Sequence, residues 1–252
     1  MSNSPLVNYT KISPNKTSPR NHKIDTISIH CAVGQFTAKE LLNLNHFIKP
    51  DSKNGASCNY AIGRDGSIGM GVEEKDRSWC TSNRANDHRA ITVEVASDTK
   101  HPYKVTDEAY KALINLLVDV CKRNNIKQLK WKADKSLIGK VDKQNMTVHR
   151  WFANKACPGD YLYNRHEKIA SEVNSCLNLI KKATFKPYVV KVNITDLNIR
   201  KGPGTNYDKT GKVTGPGKFT IVKESKGKGS KTGWGKLKSG AGWISLDYTK
   251  KI

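Results

Sequence analysis

The chain has 252 residues, and 44 Lys and Arg against 22 Asp and Glu leave a formal charge of +22. A content of 37% hydrophobic residues and a mean hydropathy of −0.63 exclude disorder throughout, and no stretch approaches the ~18 consecutive apolar residues of a membrane span. At roughly 100 to 200 residues per domain, one large domain or a medium and a small one fit. So high a charge implies a polyanionic partner, whether nucleic acid, anionic lipid or an anionic cell-wall polymer, or else a solvated basic surface.

Residues 1–10 lack the basic start and apolar run of a signal peptide, so synthesis in the cytoplasm is expected, with any export by another route. The six cysteines (Cys31, Cys58, Cys80, Cys121, Cys157, Cys176) are then expected as reduced thiols or metal ligands. Residues 24–29 predict a strand with Ile27 and Ile29 on one face and Ser28 and His30 on the other. Thr37 and Glu40 form a capping-box pattern opening a helix through Leu41, Leu44 and Ile48. A hairpin is predicted from 59–63 and 67–72 around Arg64-Asp65-Gly66, then a strand at 91–96. Thr106 begins the clearest helix, with Tyr110, Leu113, Ile114, Leu117, Val120 and Cys121 at helical spacing and Asp107 and Glu108 at its positive end. A last helix is predicted over 160–182, with Ile169, Val173, Cys176, Leu177 and Ile180 on one stripe. This order predicts an α/β fold, a central mixed sheet flanked by helices.

The composition changes near Lys186. The last 66 residues have no Cys or Met, and short alternating runs at 188–192, 197–200, 219–222, 234–237 and 243–246 are separated by Gly-Pro-Gly and Lys-Gly clusters, predicting a small all-β module. That tail carries 14 basic and 4 acidic residues, or +10, against +12 for residues 1–186, so positive charge is about twice as dense there. The expected organisation is 1–182, a linker at 183–188, and 189–252.

Three residues have zinc-ligand chemistry: His30 at a strand end, and His149 and Cys157 eight apart. Three protein ligands with an open fourth position is the catalytic rather than the structural zinc pattern. Within one helix His149 and Cys157 would lie about 12 Å apart, so they share a metal only if the segment folds back, for which Cys157-Pro158-Gly159 offers a break. By spacing alone, two surface histidines and a core cysteine are the favoured reading, and the metal site is the weaker one.

The sequence resembles the zinc-dependent N-acetylmuramoyl-L-alanine amidases of the type shared by phage lysozyme-amidases and peptidoglycan recognition proteins. The resemblance rests on Thr-Ile-Ser-Ile-His-Cys at 26–31, Asn-Tyr-Ala-Ile-Gly-Arg-Asp-Gly at 59–66, Ser78-Trp79, Ile-Thr-Val-Glu-Val at 91–95, Val148-His149 and Lys-Ala-Cys-Pro at 155–158. It implies that His30, His149 and Cys157 hold zinc, that Glu94 activates water, and that Lys155 stabilises the oxyanion. The bond cleaved would join the lactyl group of N-acetylmuramic acid to L-alanine. Two departures stand near the expected groove. Cys58-Asn59-Tyr60 replaces a Tyr-Asn-Phe or Tyr-His-Phe run, so no tyrosine role passes to Tyr60, and Trp79-Cys80-Thr81-Ser82 replaces Trp-His-Ala-Gly. Cys31, Cys121 and Cys176 are expected as buried apolar thiols.

The tail resembles bacterial SH3-type domains through 196–207 and 242–248, which implies cell-wall binding, as an SH3-like barrel. Tyr207, Trp234, Trp243 and Tyr248 are candidates for a stacking platform, with Trp243 expected in the core. The combined expectation is a monomeric zinc peptidoglycan hydrolase of phage endolysin type. It would be released from the host cytoplasm to the wall, with peptidoglycan and anionic wall polymers as partners and no nucleic acid or membrane insertion. The alternatives are a non-catalytic peptidoglycan-binding protein and a wall cysteine peptidase using Cys157.

Overall fold

The structure, a computed structural model, describes residues 2–252, and of 179–184 the backbone alone. Ile180, expected on the stripe of the last helix, therefore lies outside the described residues. Two compact units are present, Met1–Asn178 and Leu179–Ile252. No helix among the described residues is long and apolar enough to cross a membrane.

The first unit is built on strands β1 (Tyr9–Thr10), β2 (Lys16–Thr17), β3 (Thr26–Cys31), β4 (Tyr60–Ile62), β5 (Ile68–Met70), β6 (Arg77–Ser78), β7 (Ala90–Val95) and β8 (Met146–Thr147). Six of them form one mixed sheet in the order β1-β5-β4-β7-β3-β8, and β2 pairs with β6 apart from it. β3 lies parallel to β7 and to β8, whereas the hairpin β4–β5 is antiparallel and turns through Gly66 at φ +78°. The predicted strand at 24–29 is shifted two residues onward.

The pleat divides β3 and β7 into two faces. Ile27, Ile29, Ile91 and Val93 share a core with Leu113, Leu116 and Leu117 of α4 (Asp107–Arg123). Burying each of those leucines contributes roughly 1.5–3 kcal/mol before entropy is counted. The helix starts where its N-cap predicts, with Thr106 accepting from the Ala109 N–H. On the opposite face stand Ser28, His30, Thr92 and Glu94. The rest of that face packs Ala61 with Leu41 and Leu42 of α1 (Ala38–Leu42) and Phe47 of α2 (Asn45–Ile48).

Two helices are shorter than their periodicity predicts. The capping box at Thr37 and Glu40 forms, but the helix stops at Leu42 because Asn43 Nδ2 takes the Lys39 carbonyl (2.7 Å) and Leu44 turns extended at ψ 140°. The predicted helix over 160–182 is likewise two, α5 (Gly159–Tyr163) and α6 (His166–Thr184). There His166 Nδ1 donates to the Leu162 carbonyl (2.8 Å) and the chain tightens through Asn164. α3 (Arg84–Arg89), β1, β2, β6 and β8 have patterns too short to read.

The second unit is all-β: β9 (Tyr188–Val192), β10 (Leu197–Arg200), β11 (Lys209–Thr214), β12 (Gly217–Ser225), β13 (Trp234–Leu237), β14 (Trp243–Ser245) and β15 (Thr249–Lys251). They form one sheet in the order β11-β10-β14-β13-β12-β9-β15, entirely antiparallel, around Val190, Val192, Ile199, Ile221, Leu237 and Ile244. Trp234 and Trp243 are buried, so both belong to the interior; Tyr207 and Tyr248 are exposed.

Candidate active site

His30 is fully buried on the polar face of β3. Ser28, two residues earlier on the same face, donates from Oγ to the Thr147 carbonyl of β8 (3.3 Å) and lies 3.2 Å from His30 Nε2. A carbonyl only accepts, so Ser28 Oγ receives the His30 Nε2–H, and His30 Nδ1 is left as a bare acceptor. That nitrogen faces Cys157 Sγ (3.4 Å) and Glu94 Oε1 (3.7 Å). Burial first, then His149 and His166, lowers the His30 pKa to about 3, so the ring is neutral at pH 7.

His149 begins a short turn of 3-10 helix, His149–Trp151, directly after β8. The segment folds back: the Arg150 N–H donates to the Cys157 carbonyl (3.1 Å), and the Arg150 guanidinium holds the Ala156 carbonyl (2.6 Å) and Asp160 (3.0 Å). This closure brings together residues that a helix would separate. Gly159 (φ +75°) continues it, since a Cβ there would stand 2.7 Å from Tyr103 Cβ. The outcome is a set of ligand atoms from His30, His149 and Cys157 that all lie within 4.8 Å of one another. The rings of the two histidines are 5.2 Å apart, and Ser82 Oγ sits 3.0 Å from His149 Nε2, a partner of the kind that fixes a ligating ring.

The register of the parallel pair sets Glu94 opposite His30 and Ala61. Its Oε1 accepts from the Cys80 thiol (3.7 Å), while its Oε2 is buried with no partner among the described residues. Burial raises the Glu94 pKa to about 7, against the smaller opposing effect of that thiol. Burial also pushes the Cys157 thiol well up. The bare imidazole nitrogen of buried His30, the His149 ring and the half-buried Cys157 thiol, within 4.8 Å of one another, form a donor set that a borderline-soft divalent cation such as zinc satisfies. His30, Cys80 and Glu94 form a second set of the same span, so Cys80 borders the site as well.

Lys155 is exposed beside His149, and both line an open cleft of about 620 Å³ with Cys80 and Ser82. A larger cleft of about 930 Å³, along Trp131 and α6, contains none of these residues. Thus His30, His149, Cys157 and Glu94 converge, with Lys155 at the cleft wall. Tyr60 does not join them: it is buried with the Val93 row on the other face, where its hydroxyl donates to Glu74 (2.7 Å) and accepts from the Ser4 N–H (2.9 Å). Cys31 and Cys121 are buried as expected and Cys176 is half-buried, but Cys31 reaches the Cys157 thiol instead of packing only among apolar neighbours. Ser28 and Ser82 are the site residues that sequence reasoning missed. For Ser28 the signal was its shared face with His30; for Ser82, whose position depends on a φ of +58°, no sequence signal existed.

No curated protein matches the chain. Solved structures similar to it include the endolysin N-acetylmuramoyl-L-alanine amidase LysCS from Clostridium intestinale URNW, 17% identical over 69% of this chain and 99% of that one, with a TM-score of 0.47. A selenomethionine AmpD derivative is 19% identical over 66% and 96% (TM-score 0.48), and PlyL 19% over 66% and 95% (TM-score 0.44). Residues 20–160 match the family described as N-acetylmuramoyl-L-alanine amidase. Because that stretch is more than half of the sequence and contains β3, β7 and the His149–Cys157 closure, the chain belongs to the N-acetylmuramoyl-L-alanine amidase family.

Proposed function

We propose that the protein is a zinc-dependent peptidoglycan hydrolase that adds water across the amide between the lactyl carboxyl of N-acetylmuramic acid and L-alanine. The observation that carries this reading is the convergence of His30, His149 and Cys157 beside Glu94 in a chain of this family. His30, His149 and Cys157 would hold a zinc ion, which would supply Lewis acidity toward water and toward the scissile carbonyl. Glu94, whose buried Oε2 is unpaired among the described residues, takes the proton of the attacking water and returns it to the departing alanine nitrogen. Lys155, exposed at the cleft wall, meets the negative charge that develops on the carbonyl oxygen. Ser28 and Ser82 hold the two imidazoles.

We assign 1–182 as the catalytic part, 183–188 as linker and 189–252 as a wall-binding module of bacterial SH3 type. The density of Lys in that module supports attraction to anionic wall polymers. Exposed charges are screened within about 8 Å at ~0.15 M ionic strength, so cosedimentation with purified walls should weaken as salt rises.

The deciding experiment is mass spectrometry of peptidoglycan digested with the protein. New L-alanine amino termini on intact glycan chains are expected, together with lysis of whole cells as for an endolysin. New reducing ends, or cuts between stem amino acids, would refute the reading. Cys157 Sγ at 3.4 Å from His30 Nδ1 also has the spacing of a thiol peptidase pair. Chelator separates the two, since it abolishes the zinc reaction and leaves a thiol peptidase active.

A further inference from the structure

Ser82, which reaches His149 from the turn between β6 and α3, is held at φ +58°, where a residue with a Cβ needs support from its surroundings. The support comes from α3. Asp87 is 1% exposed, and no cation among the described residues stands within ion-pair distance of it. Its two oxygens are filled from the turn instead: Oδ1 accepts from Thr81 Oγ1 (2.6 Å) and the Thr81 N–H (3.2 Å), and Oδ2 accepts from the Cys80 N–H (3.1 Å). Asn86, its neighbour on the helix, donates from Nδ2 to Thr81 Oγ1 (3.3 Å) and accepts at Oδ1 from Thr147 Oγ1 (3.0 Å).

A buried carboxylate is costly unless its oxygens are satisfied, and one fastened to two consecutive backbone N–H groups fixes the conformation of the turn that donates them. The residues fixed in this way stand on both sides of the site. Cys80 donates to Glu94 Oε1 (3.7 Å), and Ser82 Oγ lies 3.0 Å from His149 Nε2. Thr147, whose hydroxyl is taken by Asn86, offers the carbonyl that orients Ser28 against His30. We propose that Asp87 is a positioning residue of the hydrolase. It acts on no reacting atom; through the turn at 80–82 it keeps Ser82 on the His149 ring, while Asn86 ties the same turn to Thr147. This inference rests on the zinc reading above.

The test is a double-variant cycle read as zinc affinity, by competition against a chromophoric chelator, so no turnover is needed. Asp87→Asn keeps the size of the side chain but replaces one acceptor oxygen by an NH2 group. It should weaken zinc binding roughly 10- to 100-fold, the scale of partners that orient a ligating ring. Ser82→Ala, at an exposed position, should weaken it to a similar degree. Because Asp87 acts through Ser82, the two losses should not multiply, and the double variant should bind within about twofold of the weaker single variant. A residue that only stabilises the fold would give losses that multiply, or a lower unfolding midpoint with unchanged zinc affinity, and either result would overturn the inference. Thr81→Val removes the shortest donor to Asp87 and leaves the acid in place, so it keeps the test decisive if Asp87→Asn does not fold. A loss of about tenfold is expected for it, vanishing in the Ser82→Ala background. A wild type that binds no zinc would refute the metal reading and this inference with it, whereas zinc bound equally well by wild type and Asp87→Asn would sink the positioning role alone.

Discussion

Glu94 faces His30 across the β3–β7 pair, Oε1 to Nδ1 3.7 Å, so the proposed base and a proposed metal ligand are held by one sheet register. The two roles are nevertheless separable. Glu94→Gln keeps the shape and leaves His30, His149 and Cys157 in place, so zinc content should match wild type while kcat falls by about 10²- to 10⁴-fold. Cys157→Ala should lose both. Metal analysis alongside turnover decides, and a Glu94→Gln enzyme with normal kcat would remove the base assignment.

Ser28 stands one step behind His30, the proposed ligand. Because its hydroxyl is committed to the Thr147 carbonyl, it accepts from His30 Nε2 and keeps Nδ1 bare. Ser28→Ala should let the ring take either tautomer and weaken zinc affinity by roughly 10- to 100-fold, the usual scale for such partners. Competition against a chromophoric chelator measures this. An unchanged affinity would mean that packing alone holds the ring.

The amino-acid sequence carries part of this geometry and lacks the rest. The alternation of Ile27 and Ile29 with Ser28 and His30 is a period-two pattern, and it places His30 on the polar face. Register is not in the pattern, so the pairing of His30 with Glu94 has no local signal. The return of Cys157 to His149 depends on one backbone bond from Arg150 and on side-chain bonds to Ala156 and Asp160, which helical spacing does not foresee. The helix breaks at Asn43 and Asn164 escape the periodicity for a related reason. A hydrophobic stripe continues across a break when both pieces pack on one core, whereas the break itself is decided by side chains that compete for carbonyls. Ser82 is a single polar residue in a loop-rich stretch, and nothing in its neighbours sets it apart.

Arg20 is a buried clamp. Its guanidinium donates to the carbonyls of Glu74 (2.7 Å), Asp76 (2.8 Å), His88 (2.9 Å) and Ala90 (3.1 Å), tying the entry of β7 to the segment before β6. Arg20→Met would leave these acceptors without their donor, and a loss of about 3–5 kcal/mol in unfolding free energy is expected. Lysine cannot replace the fork with one ammonium, so Arg20→Lys should recover less than half. Urea unfolding of the three proteins is the measurement; a loss under about 1 kcal/mol for Arg20→Met would show that water replaces the donor.

His166 makes the fold sensitive to acid. It is fully buried among aromatic side chains, with Trp131 4.4 Å away; Nδ1 donates to the Leu162 carbonyl and Nε2 has no partner among the described residues. Burial lowers its pKa from 6.5 to about 4. The unfolded chain therefore binds more protons than the folded one between these values, and stability rises with pH in that window. The contribution of the neutral ring is complete above pH 6.5 and is lost as pH falls through 6.5 toward 4, by up to about 3 kcal/mol. His166→Phe keeps a flat ring and removes the titration. Its unfolding free energy should decline less steeply than that of the wild type between about pH 7 and 4.5, since buried His30 still titrates there, and parallel declines in the two proteins would assign the acid sensitivity to other groups.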